Sequence, residues 1–183
     1  YYEKFLPGKV DIQLNHEPAM DELNGFDHVI LAIGAHNMDL LMPVENSNVV
    51  SSWDILNGQE VSGKCVVLGG GLVGAETAEY LANKGLEVSI VEMMDKIAVQ
   101  ESETVLPLME ADYKEHNVQK FVNTRVSEIK NNVIYAVNTK DETNVEITAD
   151  TIVNALGSKK NVFDDSKLTV PFTYVGDCSG ERT

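Results

Sequence analysis

Positive charge is scarce in this sequence. Lysine and arginine total 14 against 29 aspartates and glutamates, leaving a formal net charge of −15 over 183 residues. A chain so acidic offers no basic face to a phosphate backbone, so nucleic acid is not an expected partner. Anionic membrane surfaces are disfavoured for the same reason. Long apolar runs are lacking too: none approaches the roughly 18 residues that span a bilayer, and no membrane partner is expected. The opening YYEKFLPGKV has neither the apolar core of a secretory signal nor an initiator methionine, and the chain stops at Glu181-Arg182-Thr183 just after an apparent motif. It is therefore expected to be a piece of a longer protein. Cysteine is limited to Cys65 and Cys178, which make no C-x-x-C and no zinc spacing. His16, His28, His36 and His116 are scattered without i, i+4 pairing, so no metal site is expected. No G-x-S-x-G nucleophile turn occurs. A reduced, cytoplasmic setting fits these features.

What is present is organised around Cys65–Glu92, CVVLGGGLVGAETAEYLANKGLEVSIVE. Cys65-Val66-Val67-Leu68 is short, apolar and β-branched, the composition of a strand buried on both faces. It runs into Gly69-Gly70-Gly71-Leu72-Val73-Gly74, a G-x-G-x-x-G, and then into a stretch whose Ala78, Leu81 and Ala82 make a helical apolar stripe. Gly85 stands where a left-handed helix cap is wanted. Val88, Ile90 and Val91 make a second strand that ends in Glu92. Each part has a chemical task in dinucleotide binding. Gly69 allows the tight turn, Gly71 lets the backbone approach a pyrophosphate, and Gly74 permits close helix–strand packing. The helix N-terminus then faces the phosphates. Glu92 lies at the distance, about 20 residues on, at which a carboxylate reaches the adenosine ribose.

Elsewhere, hydrophobic and charged contents of 43% and 23% are those of an ordinary globular chain able to bury a sizeable core. Strands are expected at Val10–Leu14, within Phe26–Ala35 and at Gln119–Val122, with a turn or short helix over Pro18–Gly25 and a short helix beginning near Trp53. Leu106, Met109, Tyr113 and His116 lie on one face of a further helix, with Pro107 in its first turn. The segments 126–130, 133–138 and 144–148, separated by Asn131-Asn132 and by Asp141–Thr143, read as a three-stranded antiparallel meander. Asp150–Ser158 repeats the pattern of Asp27–Ala35, an acid, an apolar strand and a glycine. The repeat points to two related dinucleotide folds, one interrupted by the other.

The runs VILAIGA, NVVSSWDILNG, GKCVVLGGGLVGAETAEYLANKG, VSIVEMMDKIA, TIVNALG and TYVGDC, taken in that order, resemble one family over nearly the whole chain. It is the pyridine-nucleotide region of multidomain NADH:flavin oxidoreductases of the 2-enoate reductase, 2,4-dienoyl-CoA reductase and bile-acid-inducible reductase group, whose barrel is old yellow enzyme-like. The resemblance implies a three-layer α/β, FAD/NAD(P)-binding Rossmann-like fold with a parallel sheet and an antiparallel β-meander. It implies partial FAD-binding segments at 1–59 and 161–183 around an NAD(P)H-binding domain at 60–160. Gly69, Gly71 and Gly74 match the nicotinamide-dinucleotide loop and Glu92 the ribose-binding acid. Gly34 and Gly157 match glycines at the domain crossings, and Gly176-Asp177 the pair that contacts the flavin ribityl–phosphate. Glu76 matches an acid near the meeting of nicotinamide and flavin; it reads equally well as a solvent-facing helix residue.

The function so implied is electron entry: NADH, preferred over NADPH, passes hydride to FAD, for onward transfer to FMN and an iron–sulfur cluster. The sequence has no second G-x-G-x-x-G, no barrel and no cluster cysteines, so the chain by itself is expected to bind no flavin and to lack turnover. The alternative is a non-catalytic dinucleotide-binding or regulatory domain. Tyr80-x-x-x-Lys84 has the spacing of a dehydrogenase proton relay, but it sits on the helix after the phosphate loop, where coincidence is expected.

Overall fold

The structure is a computed structural model that describes residues 8–180. In chain order its strands are β1 (Val29–Leu31), β2 (Ala35–Asn37), β3 (Val44–Glu45), β4 (Val49–Ser51), β5 (Lys64–Leu68), β6 (Glu87–Val91), β7 (Gln119–Phe121), β8 (Thr124–Lys130), β9 (Val133–Asn138), β10 (Asn144–Thr148), β11 (Thr151–Asn154), β12 (Ser158–Lys160) and β13 (Phe172–Tyr174). The helices are α1 (Met20–Leu23), α2 (Ser52–Leu56), α3 (Leu72–Asn83) and α4 (Leu106–Glu115). Two compact units result: His36–Lys159, and a second that ends its first segment at Ala35 and resumes at Lys160. Among the described residues no helix is long and apolar enough to cross a membrane.

The His36–Lys159 unit is built on a five-stranded sheet in the order β4-β11-β5-β6-β7. Its strands run parallel, and β5 and β6 are neighbours in the register Cys65↔Val88 to Leu68↔Val91, as their composition predicts. Alternation along β5 divides its side chains between two cores. Cys65 and Val67 face Ala75, Ala78 and Leu81 of α3 and Met109 and Tyr113 of α4. Val66 and Leu68 face Ile129, Ile134 and Ile147 of the meander. The result is three layers: helices, parallel sheet, meander. The meander pairs in the order β10-β9-β8, and Asn131 and Asn132 turn its first hairpin with φ of 51° and 60°. Two successive left-handed residues give the turn whose twist matches antiparallel strands. A short parallel strand, β3, extends the meander beside β8.

Local signals end the elements as expected. After α3, Gly85 has φ +82°, its N–H donates to Ala82 O, and Leu86 N–H reaches back to Leu81 O. These are the paired closing bonds that a left-handed glycine permits. Pro107 stands in the first turn of α4.

Other segments differ from the sequence expectation. Residues 36–59 belong with the central unit, because β4 pairs with β11 and Ile55 of α2 is fully buried in the helical-side core. In the other unit, Val10–Leu14 is not a strand: Val10, Ile12 and Leu14 are 50%, 56% and 80% exposed. Apolar composition without a neighbouring strand gives no ladder. The expected strand within Phe26–Ala35 contracts to β1, which pairs in parallel with β13. Asn24 helps close this unit, donating to Lys167 O at 3.1 Å and accepting from Thr169 N–H at 2.8 Å.

Candidate functional site

The three-residue loop Gly69–Gly71 joins β5 to α3 at the carboxyl end of the sheet, where open α/β sheets place their ligands. Gly69 adopts φ +101°, and a Cβ on it would lie 2.5 Å from Ala155 O. A Cβ on Gly74 would lie 2.0 Å from Gly69 O, so the first turn of α3 packs directly on the loop backbone. Gly71 is different. It precedes α3 with an ordinary φ of −67°, and a Cβ there would meet nothing within 4 Å. Its lack of a side chain leaves space beside the backbone, which is the cradle a pyrophosphate requires.

Leu72 and Val73 open α3, whose first N–H groups have no carbonyl one turn earlier to bond. No acid stands in that first turn, so nothing there opposes an anion. Glu92 directly follows β6 and faces the loop. Its Oε2 accepts from Gly70 N–H at 2.6 Å and its Oε1 from Met94 N–H at 2.7 Å. Each oxygen keeps acceptor capacity for a ribose hydroxyl. The residues present thus fit a dinucleotide: a left-handed turn, an open backbone edge, a helix terminus and a carboxylate at the second strand.

The sequence profile of the pyridine nucleotide-disulphide oxidoreductase family matches residues 3–173. The chain belongs to that family.

The chain is 44% identical over 160 residues to a bilirubin reductase of Mediterraneibacter gnavus, covering 84% of the chain and 24% of the relative. Over 79 residues it is 46% identical to an NADH oxidase of Thermoanaerobacter brockii, covering 40% of the chain and 12% of that protein. The structure of a 2-naphthoyl-CoA reductase bound to 2-naphthoyl-CoA superposes with a TM-score of 0.80 at 26% identity, over 93% of this chain and 27% of that one. The chain thus spans about a quarter or less of the length of these relatives. It corresponds to the pyridine-nucleotide region of enoate and dienoyl reductase-like flavoproteins, and its fold is that of an FAD/NAD(P)-binding domain.

The other residues singled out in this pyridine nucleotide-disulphide oxidoreductase sequence are distributed between the units. Gly157 follows β11 with φ +122° and its carbonyl accepts from Met38 N–H at 2.9 Å, within the same unit as the loop. Gly34 follows β1 with φ +68° in the other unit, so the two repeated motifs end alike. Gly176, with φ +67°, and Asp177 open a short 3₁₀ turn, Gly176–Ser179, in that second unit.

Glu76 is exposed on α3. One turn on, burial and then a hydrogen bond with Asp112 of α4 raise the Glu79 carboxyl above its ordinary pKa. Lys84 Nζ lies 4.5 Å from the Tyr80 ring centroid, so this pair makes a cation–π contact, a packing role that accounts for its spacing. Sequence reasoning missed Ala155, Ile97 and Ala98, which press on the glycine loop from distant parts of the chain. They lie within the runs TIVNALG and VSIVEMMDKIA, which carry the family resemblance without assigning these residues a role.

Proposed function

We propose that this chain is the NADH-binding module of a flavin-dependent oxidoreductase. NADH binds along Gly69–Gly74 with its adenosine ribose on Glu92, and its hydride goes to FAD in the full-length protein. Onward transfer to FMN and an iron–sulfur cluster takes place in parts outside this chain. The observation that carries this reading is the open backbone at Gly71 beside a carboxylate already aimed at the loop. When bound, the nicotinamide supplies hydride and the flavin accepts it. The residues of this chain bind and orient: Gly71 and the α3 terminus hold the phosphates, and Glu92 holds the ribose hydroxyls. On the same reading, Gly34 and Gly157 mark the domain crossings, Gly176-Asp177 meet the flavin ribityl–phosphate, and Glu76 stands near the nicotinamide end.

The preference for NADH rests on Glu92. A 2′-phosphate about 4 Å away would be repelled by on the order of 4 kcal/mol at an effective dielectric of about 20, before screening or movement. Met93, Met94 and Asp95 follow, so the residues just beyond the strand supply no arginine to form a planar fork around that phosphate. Calorimetric titration of the chain with NADH and NADPH tests the assignment, with at least about a tenfold preference for NADH expected. Equal affinities would overturn it. The chain alone is expected to purify colourless, because Gly176-Asp177 and the strand before Gly34 supply only part of a flavin site. Near-stoichiometric flavin absorbance would show otherwise. Reduction of the flavin by NADH in the full-length protein separates this reading from a purely regulatory binding domain.

A further inference from the structure

We propose that Ala98 is a positioning residue for the pyrophosphate, acting through the peptide that joins Gly70 to Gly71. The inference rests on the dinucleotide reading above and deepens it. Among the described non-glycine residues with positive φ, most are asparagines, which tolerate that region, and Glu142 lies in an exposed hairpin turn. Ala98 is the buried one, 1% exposed with φ +51°. A buried alanine in a left-handed conformation costs free energy and persists only where its surroundings require it.

The requirement is visible in its bonds. Ala98 N–H donates to Gly70 O at 2.7 Å, and Ala98 O accepts from Glu101 N–H at 2.9 Å. Gly70 N–H is held at the same time by Glu92 Oε2. Both polar groups of Gly70 are therefore fixed by one stretch, 92–98. That stretch is itself anchored, since Met94 donates to Glu92 Oε1 and accepts from Asn123 N–H at 2.8 Å. Ile97 closes the remaining side, its Cγ1 lying 3.1 Å from where a Cβ on Gly70 would be.

The peptide between Gly70 and Gly71 is trans and planar, so its C=O and N–H point in opposite directions. Holding Gly70 O against Ala98 turns the Gly71 N–H away from Ala98, at the residue where the loop is open. A preset N–H donor needs no reorganisation when an anion arrives. The tasks divide accordingly: Glu92 meets the ribose, and Ala98 sets a donor for the phosphates without touching the nucleotide.

The test compares the unaltered full chain with Ala98→Pro and Ala98→Gly. Proline removes the donor and cannot adopt positive φ, whereas glycine keeps both the donor and the conformation. For Ala98→Pro, calorimetric Kd values for ADP-ribose and NADH are expected to rise about tenfold. The ratio of NADH to NADPH affinity is expected to hold, because Glu92 remains in place; general loosening of the site would shift it. In the unaltered chain and in Ala98→Gly, ADP-ribose should move the Gly71 amide proton downfield in NMR spectra, and in Ala98→Pro this displacement should be lost. Should Ala98→Pro fail to fold, Ala98→Val takes its place, its β-branched side chain resisting the left-handed region. Unchanged Kd values with the Gly71 displacement intact would overturn the inference alone. Failure of the unaltered chain to bind ADP-ribose would overturn the nucleotide reading and this inference with it.

Discussion

Gly70 donates its N–H to Glu92 Oε2 at 2.6 Å, joining the turn after β5 to the end of β6. The acid read from sequence as a ribose ligand is thus also a brace for the phosphate loop. Glu92→Ala removes both. It is expected to weaken NADH binding and to narrow the NADH preference, because repulsion of a 2′-phosphate disappears while the ribose contact is lost. Parallel titrations with the two cofactors check this; an unchanged affinity ratio would rule out the carboxylate as its source.

Gly71 and Gly74 should separate binding from folding. Gly71→Ala places a methyl group in open space at an ordinary φ, so the melting temperature should hold while ADP-ribose affinity falls at least about tenfold. Gly74→Ala drives a Cβ to 2.0 Å from Gly69 O, a backbone atom that cannot swing aside. A loss of about 2–4 kcal/mol in denaturant unfolding is expected.

Cys65 gives the stability a pH dependence at the alkaline end. Burial, and secondarily the Asp150 carboxylate, push its thiol from 9.0 up to about 11. The folded state then holds the proton more tightly than the unfolded chain. Stability should therefore fall as pH rises from 9.0 to about 11, by up to about 3 kcal/mol, with no contribution below that window. Denaturant midpoints across this range should fall less steeply for Cys65→Ala; parallel slopes would contradict the assignment.

Tyr113 donates its hydroxyl to Ala75 O at 2.8 Å, from α4 to the helix that follows the phosphate loop. It is 2% exposed, and its burial raises its pKa. Tyr113→Phe should cost about 1 kcal/mol in chemical unfolding, the net value of one such bond. NADH affinity should change little, since the bond lies on the packing side of α3.

Several elements were legible because their causes are local. The short apolar runs of Cys65–Leu68 and Val88–Val91, the glycine after α3 and the Asn131-Asn132 hairpin each carry their own signal over a few residues. The glycine loop was legible for the same reason: its turn, its helix start and its open edge are properties of consecutive residues. Val10–Leu14 shows the limit of such reading. Apolar composition alone does not make a strand where, among the described residues, no strand pairs with it.

The sequence by itself determined the parallel pair, the loop between its strands, the meander and the acid at the second strand's end, because period and turn chemistry act over short spans. The tertiary structure alone decided that residues 36–59 complete the central unit, that Glu92 braces Gly70, and that a left-handed Ala98 holds the peptide before Gly71. Those are contacts between residues far apart in the chain or set by backbone conformation. They exist only once packing has fixed which segments meet, and no spacing along the sequence encodes that.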